Sequence, residues 1–224
     1  MIRYWLEQAI ERYTRNGQRR FFETSDFPWV RELENAWPEM KAELDELLTH
    51  RARIPNFQDI SEDQKALTEG EQWKTFFLFG YGHKVEANCA RCPVMARHVQ
   101  RIPNMQTAMI SILMPGKHIP AHRGPYKGVL RYHLGLLIPG EPGQCRIRIE
   151  DETRAWVQGR SLIFDDSFEH EAWNDTDSLR AVLFVDFVRP LPFPLSWLNR
   201  IMIFRISRSQ FIIEARDNAV RAAF

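Results

Sequence analysis

HIPAHRGPYKGVLRYHLGL, residues 118–136, decides the fold. Its first five residues form a short extended stretch that carries His122 to the edge of a turn, and Arg123-Gly124-Pro125 supply turn chemistry. VLRYHLGL then reads as a strand. Successive strand side chains point to opposite faces, so Arg131 and His133, two apart, share one face, and Leu130, Tyr132 and Leu134 share the other. The face with Arg131 is taken as the interior, where an arginine without a partner would be costly. A second cluster, FDDSFEHEAWN at residues 164–174, places His170 at the start of another short strand. Arg180 opens the apolar strand AVLFVDF that follows.

Outward from this centre, residues 106–188 are a series of short β-like segments: MISILM, HIPAH, VLRYHLGLLI, QCRIRIE, RAWVQ, RSLIF, HEAWN and LRAVLFVDF. Many short strands at regular spacing predict a sandwich or barrel. The expected fold is mainly β: a double-stranded β-helix (jelly-roll, cupin-like) barrel with flanking N- and C-terminal helices. Three regions are expected: helices and a loop packing on the barrel over 1–72, the barrel over 73–190, and a helical tail over 191–224. Residues 3–15 predict a helix with Tyr4, Leu6, Ile10 and Tyr13 on one face. A second helical stretch, from Trp29 to Leu48, is expected to break near Trp37 because of Pro38. Residues 51–72, with the acidic run ISEDQKALTEGEQ, read as a long loop of the kind that often serves as a lid. Trp73 opens an aromatic strand, and Pro93 starts a short helix, as proline favours the first helical turn.

Composition excludes several classes. The chain is 44% hydrophobic and 12% aromatic, enough for a packed core, and its formal charge of +1 does not point to nucleic acid. Cys89, Cys92 and Cys145 are too few and odd in number for a disulfide framework. The N-terminal residues carry charges throughout, so neither a signal peptide nor a membrane span is expected there, and a cytoplasmic protein is. Cys89-Ala-Arg-Cys92 has half a zinc site's spacing, but no second half follows, so ordinary thiols are expected. The stretch after Ser196 is basic and aromatic. Trp197, Ile201, Phe204 and Phe211-Ile212 read as one apolar face, expected to dock on the barrel with at most weak, salt-sensitive membrane contact.

Two histidines on strands far apart, with a strand arginine downstream, suit a mononuclear metal site. Iron enzymes that activate dioxygen often combine two histidines with one carboxylate, commonly as His-x-Asp/Glu and a distant His. Here the near element is His122-Arg123-Gly124, with no carboxylate. Asp165 and Asp166 serve either as turn residues or as a carboxylate that holds a water at the vacated metal position.

HRGPYKGVLRYHLGL and GRSLIFDDSFEHEAWNDTDSLRAVLFVDFVRP together resemble the aspartyl/asparaginyl β-hydroxylase family of Fe(II)/2-oxoglutarate dioxygenases, whose bacterial relatives include lipid A acyl-chain hydroxylases. The resemblance implies His122 and His170 as iron ligands. It implies Arg180 and Ser111 as partners of the distal carboxylate of 2-oxoglutarate, and Arg131 and His133 near the carboxylate beside the keto group. Fe(II) would be the cofactor, with 2-oxoglutarate and dioxygen as co-substrates, and the reaction would hydroxylate an unactivated C–H bond. Gly124 matches the peptide-modifying branch, whereas PYKGVLRYHLGL is closer to the bacterial one. Peptide, lipid and small-molecule substrates therefore stay open. So do an iron-dependent halogenase, which a glycine at this place would suit, and a non-enzymatic cupin-like binding module.

Overall fold

The computed structural model describes residues 2–61 and 66–224. Part of the acidic run, residues 62–65, lies outside them. The fold is a cupin-like jelly roll of two antiparallel sheets with flanking helices. In chain order the elements are α1 (Ile2–Tyr13), β1 (Phe21–Phe22), α2 (Val30–Asn35), α3 (Trp37–Leu48), α4 (Phe57–Ile60), β2 (Trp73–Gly80), β3 (His83–Lys84), α5 (Glu86–Arg91) and α6 (Pro93–Val99). Then come β4 (Met105–Leu113), β5 (His118–His122), β6 (Val129–Leu137), β7 (Cys145–Ile149), β8 (Glu152–Ala155), β9 (Ser161–Phe164), β10 (His170–Asn174) and β11 (Arg180–Val188). Two helices, α7 (Leu195–Ser207) and α8 (Gln210–Arg221), close the chain.

The larger sheet runs β1-β9-β6-β11-β4-β2-β3 and the smaller β5-β10-β7-β8. Apolar residues of both sheets, among them Trp73, Leu113, Ile147, Ile149, Phe164 and Val182, pack against one another and form the inter-sheet core. The other face of the larger sheet is covered as well. Leu130, Tyr132, Leu134, Ile110 and Leu183 meet Leu33, Met40 and Leu44 from α2 and α3, and Met95 and Val99 from α6. Strands buried on both faces need apolar residues at nearly every position, which is why β4 and β11 read as continuous apolar runs. β7 and β10 alternate buried and half-buried positions, as strands with one wet face do.

Local chemistry sets the helix ends. Pro38 sits in the first turn of α3, so the expected break falls at Ala36. Trp37 donates its indole N–H to the Leu136 carbonyl at 3.1 Å and ties α3 to β6. Glu43 on α3 accepts the backbone N–H groups of Val94 (2.6 Å) and Met95 (2.9 Å) and so caps α6.

Several expectations are corrected. On α1 only Leu6 and Ile10 are buried; Tyr4 and Tyr13 face outward, because the helix packs along a narrow stripe. Residues 51–61 hold a 3₁₀ turn and α4 rather than unbroken loop. The tail is two helices, and it buries Asn199, Ile203 and Ile212, whereas Trp197, Ile201 and Phe204 are exposed. β1 and β3, two residues each, are too short to show a periodicity in the sequence.

Candidate active site

The site is built where the two sheets face each other. β5 and β10 pair antiparallel with His122 directly opposite His170. Their ring centroids are 4.2 Å apart, with planes inclined by 51°. His122 Nδ1 lies 2.8 Å from the Pro120 carbonyl, and His170 Nδ1 lies 2.9 Å from the Phe168 carbonyl. A carbonyl can only accept, so each Nδ1 carries the proton and each Nε2 keeps its lone pair. Burial favours the neutral form of both rings, lowering His122 and pushing His170 down to about 3. The pair is thus two neutral imidazoles with adjacent lone pairs.

The larger sheet contributes the opposite wall. Arg180 and Phe184 share one face of β11, Arg131 and His133 one face of β6, and Ser111 lies on β4 across from Val182. All six residues singled out in the sequence, His122, His170, Ser111, Arg131, His133 and Arg180, line one cavity between the two sheets. Trp73, Trp156, Phe164 and Phe184 complete its walls. Nothing in the spacing of these aromatics separates them from core residues, so only the fold reveals their place.

Arg180 is 2% exposed, and its guanidinium lies 3.8 Å from the centre of the Trp156 ring. No carboxylate pairs with it among the described residues, its Nε has no hydrogen-bond partner, and burial pulls its pKa down to about 9. His133 is buried, and neither of its ring nitrogens has a partner. Its pKa is held well below the usual value, first by burial and then by Arg180. Ser111 accepts the Trp73 indole N–H at 3.0 Å and keeps its own O–H to donate. Three groups able to donate, Arg180, His133 and Ser111, converge on a buried cavity with no carboxylate among its lining residues, an arrangement that suits an anion.

Arg131 differs from the other five. It is ion-paired to Asp186 at 2.9 Å and to Asp166 at 2.9 Å, so its charge is already compensated within the fold. The two adjacent aspartates split in role. Asp165 is fully buried between Lys127 and Arg189, accepts the Ser167 N–H and Oγ–H, and holds the turn together. Asp166 lies against Arg131 and borders a neighbouring cleft. Neither of its oxygens accepts a hydrogen bond among the described residues, and burial, opposed by Arg131, pushes its carboxyl up to about 7.

Gly124 and Asp166 fit each other. The Gly124 N–H donates to the Asp166 carbonyl at 2.7 Å, and a Cβ on residue 124 would fall 2.0 Å from Asp166 Oδ2. Asp166, from another turn, thus lies against residue 124, and the glycine leaves room for it. Gly124→Ala is expected to displace Asp166 from Arg131 and to cost about 1–3 kcal/mol, as overpacking does. Urea denaturation measures this; an unchanged midpoint would mean that Asp166 moves freely.

Among the described residues, no group of three or more His, Cys, Asp or Glu side chains could hold a metal ion. The described residues offer two imidazoles side by side and, in the same cavity, the buried cation Arg180 with no carboxylate paired to it. This set fits a metal ion that shares its site with an anionic ligand. Cys89 and Cys92 are buried free thiols, raised to about 11 and about 12 by burial.

The sequence profile described as Aspartyl/Asparaginyl beta-hydroxylase matches residues 34–190, well over half of the chain. The chain belongs to the aspartyl/asparaginyl beta-hydroxylase family. A protein of Rhizobium tropici, ornithine lipid ester-linked acyl 2-hydroxylase, is 46% identical over 96% of this chain and 76% of its own length. The human aspartyl/asparaginyl beta-hydroxylase is 38% identical over 58% of this chain but only 18% of its own length. This member of the family thus shares nearly its whole length with the ornithine lipid hydroxylase and only one region with the human enzyme. Among solved structures, the Cnp3 cupin domain of Schizosaccharomyces pombe is 11% identical, with a TM-score of 0.38 over 66% of this chain and 80% of that one. A cupin domain of an Enterobacter cloacae transcriptional regulator is 14% identical, with a TM-score of 0.36 over 53% of this chain and 99% of that one.

Proposed function

We propose that the chain is an Fe(II)- and 2-oxoglutarate-dependent hydroxylase that acts on a lipid acyl chain. The observation that carries this reading is the pair of neutral imidazoles set beside a buried arginine that no carboxylate among the described residues pairs with. His122 and His170 would hold the iron through Nε2. Arg180 and Ser111 would take the distal carboxylate of 2-oxoglutarate, the guanidinium by two parallel hydrogen bonds that fix orientation as well as affinity. His133 would donate to the carboxylate beside the keto group. Arg131, held by Asp166 and Asp186, would meet that carboxylate with an N–H that neither partner uses. Asp166 would hold the hydrogen-bonded water that a side chain at residue 124 would exclude. The bound iron, with 2-oxoglutarate and dioxygen, supplies the oxidising power to hydroxylate an unactivated C–H bond. The aromatic walls keep bulk water from the reacting centre.

Two observations favour a lipid. The relative that shares nearly the whole chain is named for acyl hydroxylation. A second cleft, with ≈ 1030 Å³ of empty space, reaches Arg131 and Asp166 and is walled by Val129, Ile203, Ile206, Phe211 and Ile212. Apolar walls leading to a polar end suit an alkyl chain whose reacting carbon lies near a carbonyl.

Anaerobic addition of Fe(II) and 2-oxoglutarate should give a visible charge-transfer band. Succinate release should then be stimulated by an acyl amino-acid lipid and not by Asp/Asn peptides or small acids. Stimulation by peptide alone would overturn the substrate, and absence of both band and succinate would overturn the enzyme. Chlorinated product in the presence of chloride would replace hydroxylation by halogenation.

A further inference from the structure

Helix α7 is apolar on two opposite sides. Its inner side is fixed: Asn199 is fully buried, accepts the Tyr126 hydroxyl at 2.6 Å and donates to the Gly128 carbonyl at 2.8 Å. Ile203 packs beside it against Leu6 and Ile10 of α1. With that side pinned, the outer side can only face away from the body. It carries Trp197 at 59% exposure, Ile201 at 39% and Phe204 at 55%, spaced i, i+4 and i+7 along one stripe. Phe193, 83% exposed, stands just before the helix. A helix that is apolar all round needs cover on both sides.

Charge says what kind of cover. At 3.6 residues per turn, Arg200 and Arg205 fall on either side of the stripe, and Arg208 continues it with its guanidinium 4.1 Å from the centre of the Phe204 ring. None of the three has an ion-pair partner among the described residues, and residues 187–213 contain no Asp or Glu. A two-fold partner copy would set these arginines against themselves. Anionic headgroups complement them, and exposed tryptophan and phenylalanine suit the headgroup level of a bilayer. No helix among the described residues is long and apolar enough to cross a membrane, so contact would lie in the interface plane.

A second observation agrees. The cleft that reaches Arg131 and Asp166 is lined on its outer side by Ser209 and by Phe211, 41% exposed, at the α7–α8 turn, directly after Arg208. We propose that the outer face of α7, with Arg200, Arg205 and Arg208, docks the protein on an anionic lipid bilayer so that the cleft mouth at the α7–α8 turn faces the lipid. The docking stands on the helix face alone; only the use of the cleft by an acyl chain rests on the proposed lipid substrate.

Co-sedimentation of the full chain with vesicles tests the proposal without iron, 2-oxoglutarate or turnover. Vesicles of phosphatidylcholine with phosphatidylglycerol should bind the protein, less so as salt rises, and phosphatidylcholine alone should bind it weakly. The doubly substituted Trp197→Ser/Phe204→Ser chain, and the triple Arg200→Gln/Arg205→Gln/Arg208→Gln chain, should each lose about tenfold or more in partitioning. All five positions lie outside the site, so 2-oxoglutarate affinity and melting temperature should hold, which separates lost docking from lost folding. Equal binding of wild type and variants to the anionic vesicles, or no binding by wild type, would overturn the proposal. A lipid-free dimer that the Trp197→Ser/Phe204→Ser change dissociates would overturn it too, by assigning the face to a second copy.

Discussion

Substituting Arg180 by methionine should weaken 2-oxoglutarate binding by roughly 10²–10³-fold or more, the equivalent of about 3–5 kcal/mol for removing one partner of a buried ion pair. The same change should leave the ligand-free protein as stable as wild type, or more stable. Among the described residues Arg180 has no carboxylate partner and lies fully buried against Trp156, so methionine would remove a buried charge that none of them compensates while filling much of the same space. A structural arginine would behave in the opposite way. Isothermal titration with 2-oxoglutarate and Mn(II) or anaerobic Fe(II), alongside thermal melts of the metal-free protein, reads both quantities. A lowered melting temperature with unchanged 2-oxoglutarate affinity would refute the assignment of Arg180 as the anion's partner.

Removal of either imidazole should have a comparable effect on the metal. His122→Ala and His170→Ala are each expected to reduce Fe(II) affinity by more than about 100-fold, since loss of an outer partner of a metal ligand alone costs about 10–100-fold. Among the described residues no group of three or more His, Cys, Asp or Glu side chains could hold the ion, so loss of one ring of the pair is not made good by such a cluster. The two variants should differ in stability. His122 is half-buried at the end of β5, whereas His170 is buried within β10, so the second leaves the larger void. Anaerobic competition with a chromogenic chelator measures the affinity, and retention of wild-type affinity in both variants would remove the metal from this place.

Much of this was legible in the sequence because strands impose a period of two. Arg131 and His133 on one face and Leu130, Tyr132 and Leu134 on the other follow from alternation alone, and both sides lie as read. The segments read between turns lie within a residue of the bounds of β6, β10 and β11, whereas β4 begins at Met105, ahead of MISILM. Relations between two turns were not. The fit of Gly124 to Asp166 depends on the approach of segments that share no local pattern, so the sequence offered a missing carboxylate and a candidate aspartate but not their match. The compensation of Arg131 by Asp186 is a cross-strand pairing, visible only once β6 lies beside β11. On α7 the apolar stripe was found but assigned to the wrong side, because a helix with two apolar sides gives its periodicity no way to choose between them.

β5 lies at the edge of the smaller sheet and is hydrogen-bonded within it to β10 alone. An edge strand opens at lower free-energy cost than strands inside a sheet, so amide hydrogen exchange in β5 should be faster than in β6 or β11. A metal held between His122 and His170 would join the edge strand to its only neighbour by a second kind of bond. Loading the metal should therefore slow exchange at Ile119 and His122 by mass action while leaving the amides of β11 unchanged. The ion would then be a clasp on an edge strand of the smaller sheet as well as a reagent, and metal starvation would expose that strand's edge to proteolysis before any loss of the core.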